Sequence, residues 1–465
     1  MRIPVPEHVV PASELRRVHL VGVGGAGLSA IARLLAARGV EVSGSDANDS
    51  AVLQALRTEG VTGHVGHAAE HVGDVDAVIA STAVREDNPE VVAALERGLA
   101  LWPRSAGMQS VLSGHRVVAV AGTHGKTTTT AMLAVALTET GLDPSYAIGA
   151  EVPALGTNAH LGGEVFVAEA DESDGAFLVY TPAVGVVTNV DADHLDTWAT
   201  VEAYEEAFEQ FVSHLTEAVV LCADDPVAVR LAEPARRQGL RVVTAGLADD
   251  ADVRAVDLRV EGGRTSFDVV AFGEPLGRAE LAVPGRHYAV DALLALAAGL
   301  VVGGEPAALL RGLGRHQGAK RRMEHRGDAG GVRVYDSYAH HPTEIAADLE
   351  AARSLAGDDR LVVAFQPHLV SRTRTHGAAM GQALAAADEV LVADIYLARE
   401  DPDPEVTARM VVDAAGSDHV RAGGSLADVE RELVRVLRPG DLLLTLGAGD
   451  VTTLGPAVLA ALEPR

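Results

Sequence analysis

The chain has 465 residues, more than one compact core accommodates, and this length indicates about two to four domains. Its formal net charge of −27 argues against a nucleic acid partner, because binding a phosphate backbone requires basic surface. The single cysteine, Cys222, excludes an intramolecular disulfide and is typical of a reducing compartment. The N-terminus lacks the apolar core of a signal peptide, and no apolar run reaches the ~20 residues that span a bilayer. We therefore expect a cytoplasmic protein without membrane insertion.

Short apolar runs alternate with Ala- and Leu-rich helical stretches along almost the whole chain, which is typical of parallel sheets joined by crossover helices. Three blocks of this kind predict three α/β domains, at residues 1–112, 113–319 and 320–465. Strands are predicted at 18–21, 41–45, 77–80, 116–120, 165–168, 184–188, 219–221, 332–335, 361–365, 389–392 and 441–446. Helices are predicted at 29–37, 128–138 and 290–300, and around 345–353, 380–387 and 426–436. Alternating polarity over 252–281 predicts antiparallel strands at a sheet edge.

A phosphate-binding loop is predicted between the strand 116–120 and the helix 128–138. Its lysine, Lys126, is one of only two in the chain and places a charge on the β- and γ-phosphates, while the Thr127 hydroxyl is a ligand for Mg²⁺. Val120 stands where the strict motif has its first glycine, so the loop indicates nucleotide binding without identifying a reaction. The loop residues predicted to bind ATP are Gly122, Thr123, His124, Gly125, Lys126, Thr127 and Thr128.

Acidic clusters follow two strands of the second block. Residues 169–174 follow the strand 165–168, and residues 188–194, which end in Asp193 and His194, follow the strand 184–188. Ligands in open α/β sheets bind at the carboxyl ends of strands, and a hard cation prefers oxygen ligands. Together with the phosphate loop, these clusters predict a metal site.

A second glycine-rich loop, residues 22–27, fits the G-x-G-x-x-G pattern, and Asp46 ends the next strand. The pattern predicts a diphosphate at a helix N-terminus with an acid near a ribose, which suits NAD or a nucleotide-sugar diphosphate equally. His67 and Ser81 are candidates for the same cleft.

The third block has two polar segments that follow strands, residues 335–344 and 366–374. Adjacent His340 and His341 suit hydrogen bonding to a substrate or phosphate better than zinc binding, because neighbouring side chains diverge. Arg372 and Arg374 suit a carboxylate.

In these motifs the chain resembles the Mur ligase family along nearly its whole length. The resemblance rests on Gly22 to Ser29, Gly122 to Thr128, Glu169 to Asp174, Asp193-His194, Arg321-Arg322, Asp336 to Glu344 and Phe365 to Thr373. It implies a Rossmann-like N-terminal domain, a central P-loop ATPase-type parallel sheet and a Rossmann-like C-terminal domain. It further implies ATP and Mg²⁺ as cofactors, and UDP-N-acetylmuramate and L-alanine as partners in an ATP-dependent ligation through an acyl phosphate.

The resemblance also implies roles for individual residues, with Tyr338 helping to place the amino acid or acyl phosphate. The implied catalytic residues are Lys126, His194, Arg322, His340 and Arg372. The implied metal ligands are Thr127, Glu169 and His194, and ATP contacts are added at His287, Arg322 and Asp336. The residues assigned to the UDP-sugar are Gly22, Gly24, Gly25, Gly27, Ser29, Asp46, His67 and Ser81.

Three departures from the family pattern stand out. Tyr288 and Asp291 follow Pro284-Gly285-Arg286-His287 where asparagines are common, which leaves the adenine contacts open. Ser337 replaces a frequent second aspartate. No lysine lies between Lys126 and Lys320, so the carbamylated lysine of several sister ligases is not available.

Alternative functions stay open at this point. A recycling ligase would join the same sugar nucleotide to a ready-made peptide. The first glycine loop alone also suits an NAD-dependent oxidoreductase with a fused ATPase, and a non-catalytic nucleotide sensor would bind ATP without acceptor-dependent phosphate release. The oligomeric state, monomer or homodimer, and the choice of L-alanine over serine or glycine are not determined by these patterns.

Overall fold

A computed structural model describes residues 3–81, 84–398 and 400–463, with the side chains of 195 and 196 outside the description. Its strands form three sheets, which confirms the predicted α/β class with three domains. The chain divides into two compact units, residues 1–256, 269–277 and 290–316, and residues 257–268, 278–289 and 317–465. The exact boundaries at 112 and 319 stay predictions.

The N-terminal sheet has five parallel strands in the order β3-β2-β1-β4-β5, which confirms the Rossmann-like prediction. The strand order reverses between β1 and β4, where the chain leaves β1 into the first glycine loop. The strands are β1 Arg17–Val21, β2 Glu41–Asp46, β3 Thr62–Val65, β4 Ala77–Ala80 and β5 Ala100–Pro103. The helices are α1 Ala26–Ala37, α2 Ala51–Thr58, α3 Pro89–Glu96 and α4 Arg104–Leu112.

The central sheet has ten strands in the order β15-β14-β13-β12-β11-β10-β6-β9-β7-β8. The strands are β6 Arg116–Ala121, β7 Ser145–Val152, β8 Thr157–His160, β9 Val165–Glu169, β10 Val184–Val187, β11 Ala218–Cys222, β12 Arg241–Gly246, β13 Val253–Glu261, β14 Arg264–Ala271 and β15 Glu274–Leu281. The helices are α5 Lys126–Glu139, α6 Leu195–Trp198, α7 Val201–Ser213, α8 Pro226–Arg230, α9 Ala232–Gln238, α10 Arg286–Val301 and α11 Pro306–Arg315.

The central sheet is parallel from β13 to β7, and the exceptions lie at its two edges. At one edge β8 pairs antiparallel with β7. At the other edge, two-residue turns join β13 to β14 and β14 to β15, and all four turn residues, Gly262, Gly263, Phe272 and Gly273, have positive φ. Such turns connect antiparallel neighbours, as the alternation over 252–281 predicts.

The C-terminal sheet has six strands in the order β16-β17-β21-β18-β19-β20, parallel except for β16. The strands are β16 Glu324–Ala329, β17 Val332–Ser337, β18 Leu361–Phe365, β19 Glu389–Ala393, β20 Val420–Gly424 and β21 Leu442–Leu446. The helices are α12 Pro342–Ala356, α13 Val370–Leu384, α14 Arg409–Ala415, α15 Leu426–Val436 and α16 Leu454–Leu462. The helix predicted around 380–387 is wrong in position, because the buried polar residues Arg372 and Thr373 obscure the apolar pattern of its first turns.

The helix that begins at Lys126 is enclosed by the rest of its unit. All α5 residues from Thr127 to Leu137 are buried, so this helix has no solvated face in its first three turns. Gly312 of α11 allows the closest contact, because a Cβ added there would lie 2.5 Å from the Cα of Ala136. The position of α5, and therefore of Lys126, depends on this close helix packing.

Substituting Gly312→Ala should lower stability, because the added methyl group meets backbone atoms that cannot rotate away. We expect a loss of about 1–3 kcal/mol, measured by calorimetry as a lower Tm. Gly73→Ala is the matched control, since no heavy atom lies within 4 Å of its added Cβ. Equal Tm values for the two variants would contradict the packing described here.

Candidate functional site

The phosphate loop connects β6 to α5 and is fixed to the end of β10. The Thr188 hydroxyl donates to the carbonyl of His124 at 2.6 Å, and the side chain of Asn189 contacts the backbone of His124 twice, at 2.9 and 3.0 Å. The Thr123 hydroxyl contacts the carbonyl of Asp191 at 3.0 Å and the hydroxyl of Tyr204 at 2.8 Å. The loop is therefore held in shape by contacts within the chain, with the N-terminus of α5 at its centre.

Lys126 is oriented by the loop and by a buried carboxylate. Its Nζ donates to the carbonyls of Gly122 at 2.7 Å and Thr123 at 3.0 Å, and lies 2.8 Å from Oε2 of Glu172. The Glu172 side chain is fully buried, while 14% of the Lys126 side chain is exposed. Burial alone would lower the pKa of Lys126, but Glu172 and the neighbouring carboxylates outweigh it and raise the pKa. Lys126 therefore keeps its positive charge at neutral pH.

The three predicted metal ligands form two groups of contacts, one between Thr127 and Glu169 and the other around His194. The Thr127 hydroxyl lies 3.1 Å from Oε1 of Glu169, whose other oxygen accepts from the backbone N–H of Gly149 at 2.7 Å. Nε2 of His194 lies 3.5 Å from Oδ2 of Asp193 and 3.8 Å from Oε1 of Glu172. A hydroxyl, carboxylates and an imidazole are a donor set that suits Mg²⁺.

The first glycine loop is supported by the end of β2. The carbonyl of Ser45 accepts from Gly22 at 2.8 Å and from Val23 at 3.0 Å, and Oδ2 of Asp46 accepts from Gly24 at 2.9 Å. A side chain at Gly24 would collide with Asp46, since its Cβ would lie 2.7 Å from Oδ2. Asp46 thus holds the loop directly, a contact that the ribose prediction did not include.

Of the remaining residues predicted to bind the sugar nucleotide, two lie at the reversal of the strand order and two make contacts within the chain. Gly25 caps α1 and Ser81 follows β4, so both lie where the strand order reverses. Ser29 is buried and its hydroxyl donates to the carbonyl of Ala26 at 3.0 Å, within its own helix. The His67 ring contacts Ser45 at 2.9 Å and the buried Glu90 at 3.2 Å.

Glu90 is the centre of a buried polar cluster that the sequence did not indicate. It is fully buried, and His71 lies 2.8 Å from Oε1, while Ser45, His67 and His19 surround Oε2. Burial would raise the pKa of Glu90, but hydrogen bonds from His19, Ser45 and His71 lower it to about 2. The cluster joins β1, β2 and α3 beneath the glycine loop.

In the second unit, Asp336 is fully buried at the end of β17. It accepts from the hydroxyls of Thr445 at 2.6 Å and Thr452 at 2.8 Å, and Nε of Arg321 lies 3.3 Å away. Arg321, which was given no role in the prediction for Asp336, is thus in contact with it. The guanidinium carbon of Arg322 lies 5.3 Å from the ring centroid of Tyr338, a cation–π distance.

His287 and Ser337 are linked through Asp348, also in the second unit. Nε2 of His287 lies 4.0 Å from Asp348, and the Ser337 hydroxyl donates to the same carboxylate. Burial lowers the pKa of His287 to about 4 and raises that of Asp348 to about 7. His287 is therefore neutral at neutral pH, and a serine at 337 suits Asp348 better than a second carboxylate would.

The segments before α12 and α13 place His340 and Arg372. His341 caps α12 with a capping box and Pro342 occupies the first turn, as predicted, while Nδ1 of His340 contacts the carbonyl of Tyr338 at 3.0 Å. Leu369, directly before α13, has φ 68° and ψ 140°, a region that a branched residue rarely adopts. Arg372 follows three residues later in the first turn of α13 and is 9% exposed.

Three further residues near these loops were missed by sequence reasoning. Glu172 lies within a predicted acidic cluster, but the metal role was assigned to Glu169 instead. Arg104 follows β5, a four-residue strand that was not predicted, so its place at a strand end was hidden. Asn158 on β8 donates to the carbonyl of Ala26 at 3.1 Å, and nothing in its local sequence marks that contact.

Substituting Gly125→Ala should weaken nucleotide binding at the phosphate loop, in addition to the loss of stability from backbone strain. Gly125 has φ 80°, and an added Cβ would lie 2.4 Å from Oδ1 of the buried Asp291. Gly141→Ala is the matched control, with φ 79° and nothing within 4 Å. We expect both variants to lose about 1 kcal/mol to strain, and Gly125→Ala alone to lose affinity for a nucleotide in calorimetric titration. Equal nucleotide affinities would contradict the crowding at Gly125.

Comparison with known proteins gives a match in each of the three parts of the chain. The description "Mur ligase family, catalytic domain" matches residues 17–116, "Mur ligase middle domain" matches residues 120–299, and "Mur ligase, glutamate ligase domain" matches residues 321–449. Among the described residues, no helix is long and apolar enough to cross a membrane.

Full-length relatives agree with these matches. A UDP-N-acetylmuramate–L-alanine ligase of Nocardioides sp. is 56% identical over 468 residues, covering 100% of both chains. One of Thermobifida fusca is 49% identical over 472 residues, covering 99% of this chain and 100% of the relative. The crystal structure of a UDP-N-acetylmuramate–alanine ligase from Thermotoga maritima superposes with a TM-score of 0.81 at 28% identity, over 96% of this chain and 99% of that one. The chain belongs to the Mur ligase family.

Proposed function

We propose that this protein joins L-alanine to UDP-N-acetylmuramate at the expense of ATP, a step in the synthesis of peptidoglycan precursors. The observation that carries the proposal is the full-length sequence identity of 56% to a UDP-N-acetylmuramate–L-alanine ligase. The phosphate loop of the chain itself supports it. Because the proposed reaction consumes ATP, we propose that the protein acts in the cytoplasm.

The proposed reaction has two steps. A lactyl carboxylate oxygen of the sugar nucleotide bonds to the γ-phosphorus of ATP, the bond to the bridging oxygen breaks, and ADP leaves. The amine of L-alanine then attacks the acyl carbon, phosphate departs with the bonding electrons, and the amine loses a proton to give the amide. Negative charge moves between oxygen atoms of the phosphate in both steps. Fixed positive groups that stabilise this charge in the transition state are therefore expected to contribute most to the rate.

Lys126 is the residue we assign to the β- and γ-phosphates. Its charged Nζ is held beside the loop by two carbonyls and Glu172, so the positive charge already lies at the phosphate-binding position. The backbone N–H groups at the start of α5 add a positive field at the same point. Glu172 lies 2.8 Å from Lys126, and burial raises the pKa of its carboxyl group to about 7.

We assign Mg²⁺ to Thr127, Glu169 and His194, with Glu172 close to His194 as a further carboxylate. When bound, Mg²⁺ would neutralise charge on the transferred phosphoryl group. Within the chain, Glu169 orients the Thr127 hydroxyl, and Asp193 orients His194 through the contacts described above.

The residues that we assign to the acceptor belong to the second unit, as the family resemblance implies. Arg322 and Arg372 suit the phosphate and carboxylate charges that develop there, and His340 beside Tyr338 suits the amino acid. For Asp336, whose oxygens accept from two threonines, we propose a supporting role towards Arg321 in place of a direct ribose contact.

Substituting Lys126→Ala should reduce phosphate release in the presence of UDP-N-acetylmuramate and L-alanine by at least ~10³-fold, because a preorganised cation is lost from the transition state. The assay measures phosphate with L-alanine, serine, glycine and a tripeptide as acceptors. Arg237→Ala, which removes an exposed cation at the end of α9, is the control. Activity retained in Lys126→Ala would contradict the assignment, and a preference for the tripeptide would favour the recycling ligase.

Substituting Glu169→Gln should raise the Mg²⁺ concentration needed for half-maximal activity by about tenfold or more, since a neutral amide is a weaker ligand and orients Thr127 differently. Glu151→Gln is the control, because Glu151 is an exposed acid on β7 of the same sheet. The measurement is the rate as a function of free Mg²⁺ at saturating substrates. An unchanged Mg²⁺ dependence in Glu169→Gln would remove Glu169 from the metal site.

A further inference from the structure

Arg104 links the N-terminal sheet to the acidic segment of the central sheet. It opens α4 directly after β5, and its Nη2 lies 2.8 Å from Oδ2 of Asp171 and 3.2 Å from Oδ2 of Asp174. Both acids follow β9, which pairs in parallel with β6, the strand that leads into the phosphate loop. The arginine therefore reaches the strand ends that carry the ATP-binding residues.

The stem of Arg104 packs against the first glycine loop. A Cβ added at Gly27 would lie 2.9 Å from Cδ of Arg104, so the loop and the arginine are in direct contact. A second link lies one residue away, where Asn158 donates to the carbonyl of Ala26 and accepts from Arg33 at 2.7 Å. Asn158 is only 5% exposed. The first turn of α1 is thus attached to the central sheet at two points.

The charges along this link are connected. The guanidinium of Arg104 forms ion pairs with the carboxylates of both Asp171 and Asp174. Each of Arg104, Asp171 and Asp174 is between 26% and 30% exposed, so solvent screens these interactions only in part.

We propose that Arg104 couples the two phosphate-binding loops, so that a sugar nucleotide at Gly22–Gly27 strengthens the binding of MgATP at Gly122–Thr127. This inference rests on the proposed function, in which one substrate must extend from the first loop to the γ-phosphate at the second. Both sites are complete only at one separation of the loops, and Arg104 with its two acids fixes that separation. Each ligand stabilises the same arrangement, and by linkage the coupling acts equally in both directions.

In this role Arg104 is a positioning residue, and its effect differs from that of a residue that only binds one ligand. Loss of a simple binding contact would weaken one ligand whether or not the other is present. Loss of the link would instead remove the dependence of one affinity on the other. Neutralisation of the two acids by Arg104 also keeps their charge from repelling ATP, so a modest loss of ATP affinity accompanies the loss of coupling.

The test is calorimetric titration of the full chain with Mg²⁺ and an ATP analogue that has a non-hydrolysable β–γ bridge, without and with saturating UDP-N-acetylmuramate. We expect the sugar nucleotide to tighten analogue binding in the wild type by about 5- to 150-fold, the usual range of such coupling. In Arg104→Gln the ratio of the two dissociation constants should fall to within about twofold of one. Arg230→Gln is the control, because Arg230 forms an exposed ion pair with Glu205 at 2.5 Å in the same unit.

A wild-type ratio in Arg104→Gln, or no coupling in the wild type, would overturn the inference. If Arg104→Gln does not fold, Arg104→Lys replaces it, because a lysine keeps the charge but lacks the length and fork to hold both acids. In Arg104→Lys the ratio of the two dissociation constants should fall below half the wild-type value. An unchanged ratio counts against the proposal. Failure of the wild type to bind either ligand would contradict the proposed function itself. Binding of both ligands without coupling would contradict only the role of Arg104.

Discussion

The structure of the central site depends on keeping the positive charge of Lys126 in a largely buried position. A buried ammonium is unstable unless it is paired, and here two loop carbonyls and the fully buried Glu172 supply the pairing. The carbonyls belong to the phosphate loop, and Glu172 belongs to the segment after β9, so one side chain fixes the relative position of two strand ends. This pairing connects the phosphate loop, the start of α5 and the acidic cluster.

A second consequence is that several contacts fix the phosphate loop at once. Beside the carbonyls that bind Lys126, the loop is held by Thr188, Asn189 and Tyr204. The arrangement suits phosphoryl transfer, in which most of the catalytic effect comes from groups that are in place before the reaction.

Much of this could be predicted from sequence because the signals are local. The strands β1, β6 and β18 are apolar runs, and the two glycine loops lie between a strand and a helix as their patterns require. The short strands β3 and β5 were missed, since four residues are too few to carry a periodic signal and β5 ends in a proline, and Arg104 after β5 was missed with them. The partner of Lys126 was also beyond prediction. Choosing Glu172 over Glu169 depends on side-chain direction at the end of β9, which spacing alone does not determine.

The central claim is that the chain activates a carboxylate by phosphorylation before the amide forms. The most direct measurement supplies UDP-N-acetylmuramate with ¹⁸O in both lactyl carboxylate oxygens, together with MgATP and L-alanine, and analyses the released phosphate by mass spectrometry. Because the attacking oxygen departs with the phosphoryl group, the account predicts one ¹⁸O atom in each phosphate formed. Unlabelled phosphate released in step with amide formation would show that ATP is hydrolysed without an acyl phosphate, and would contradict the account.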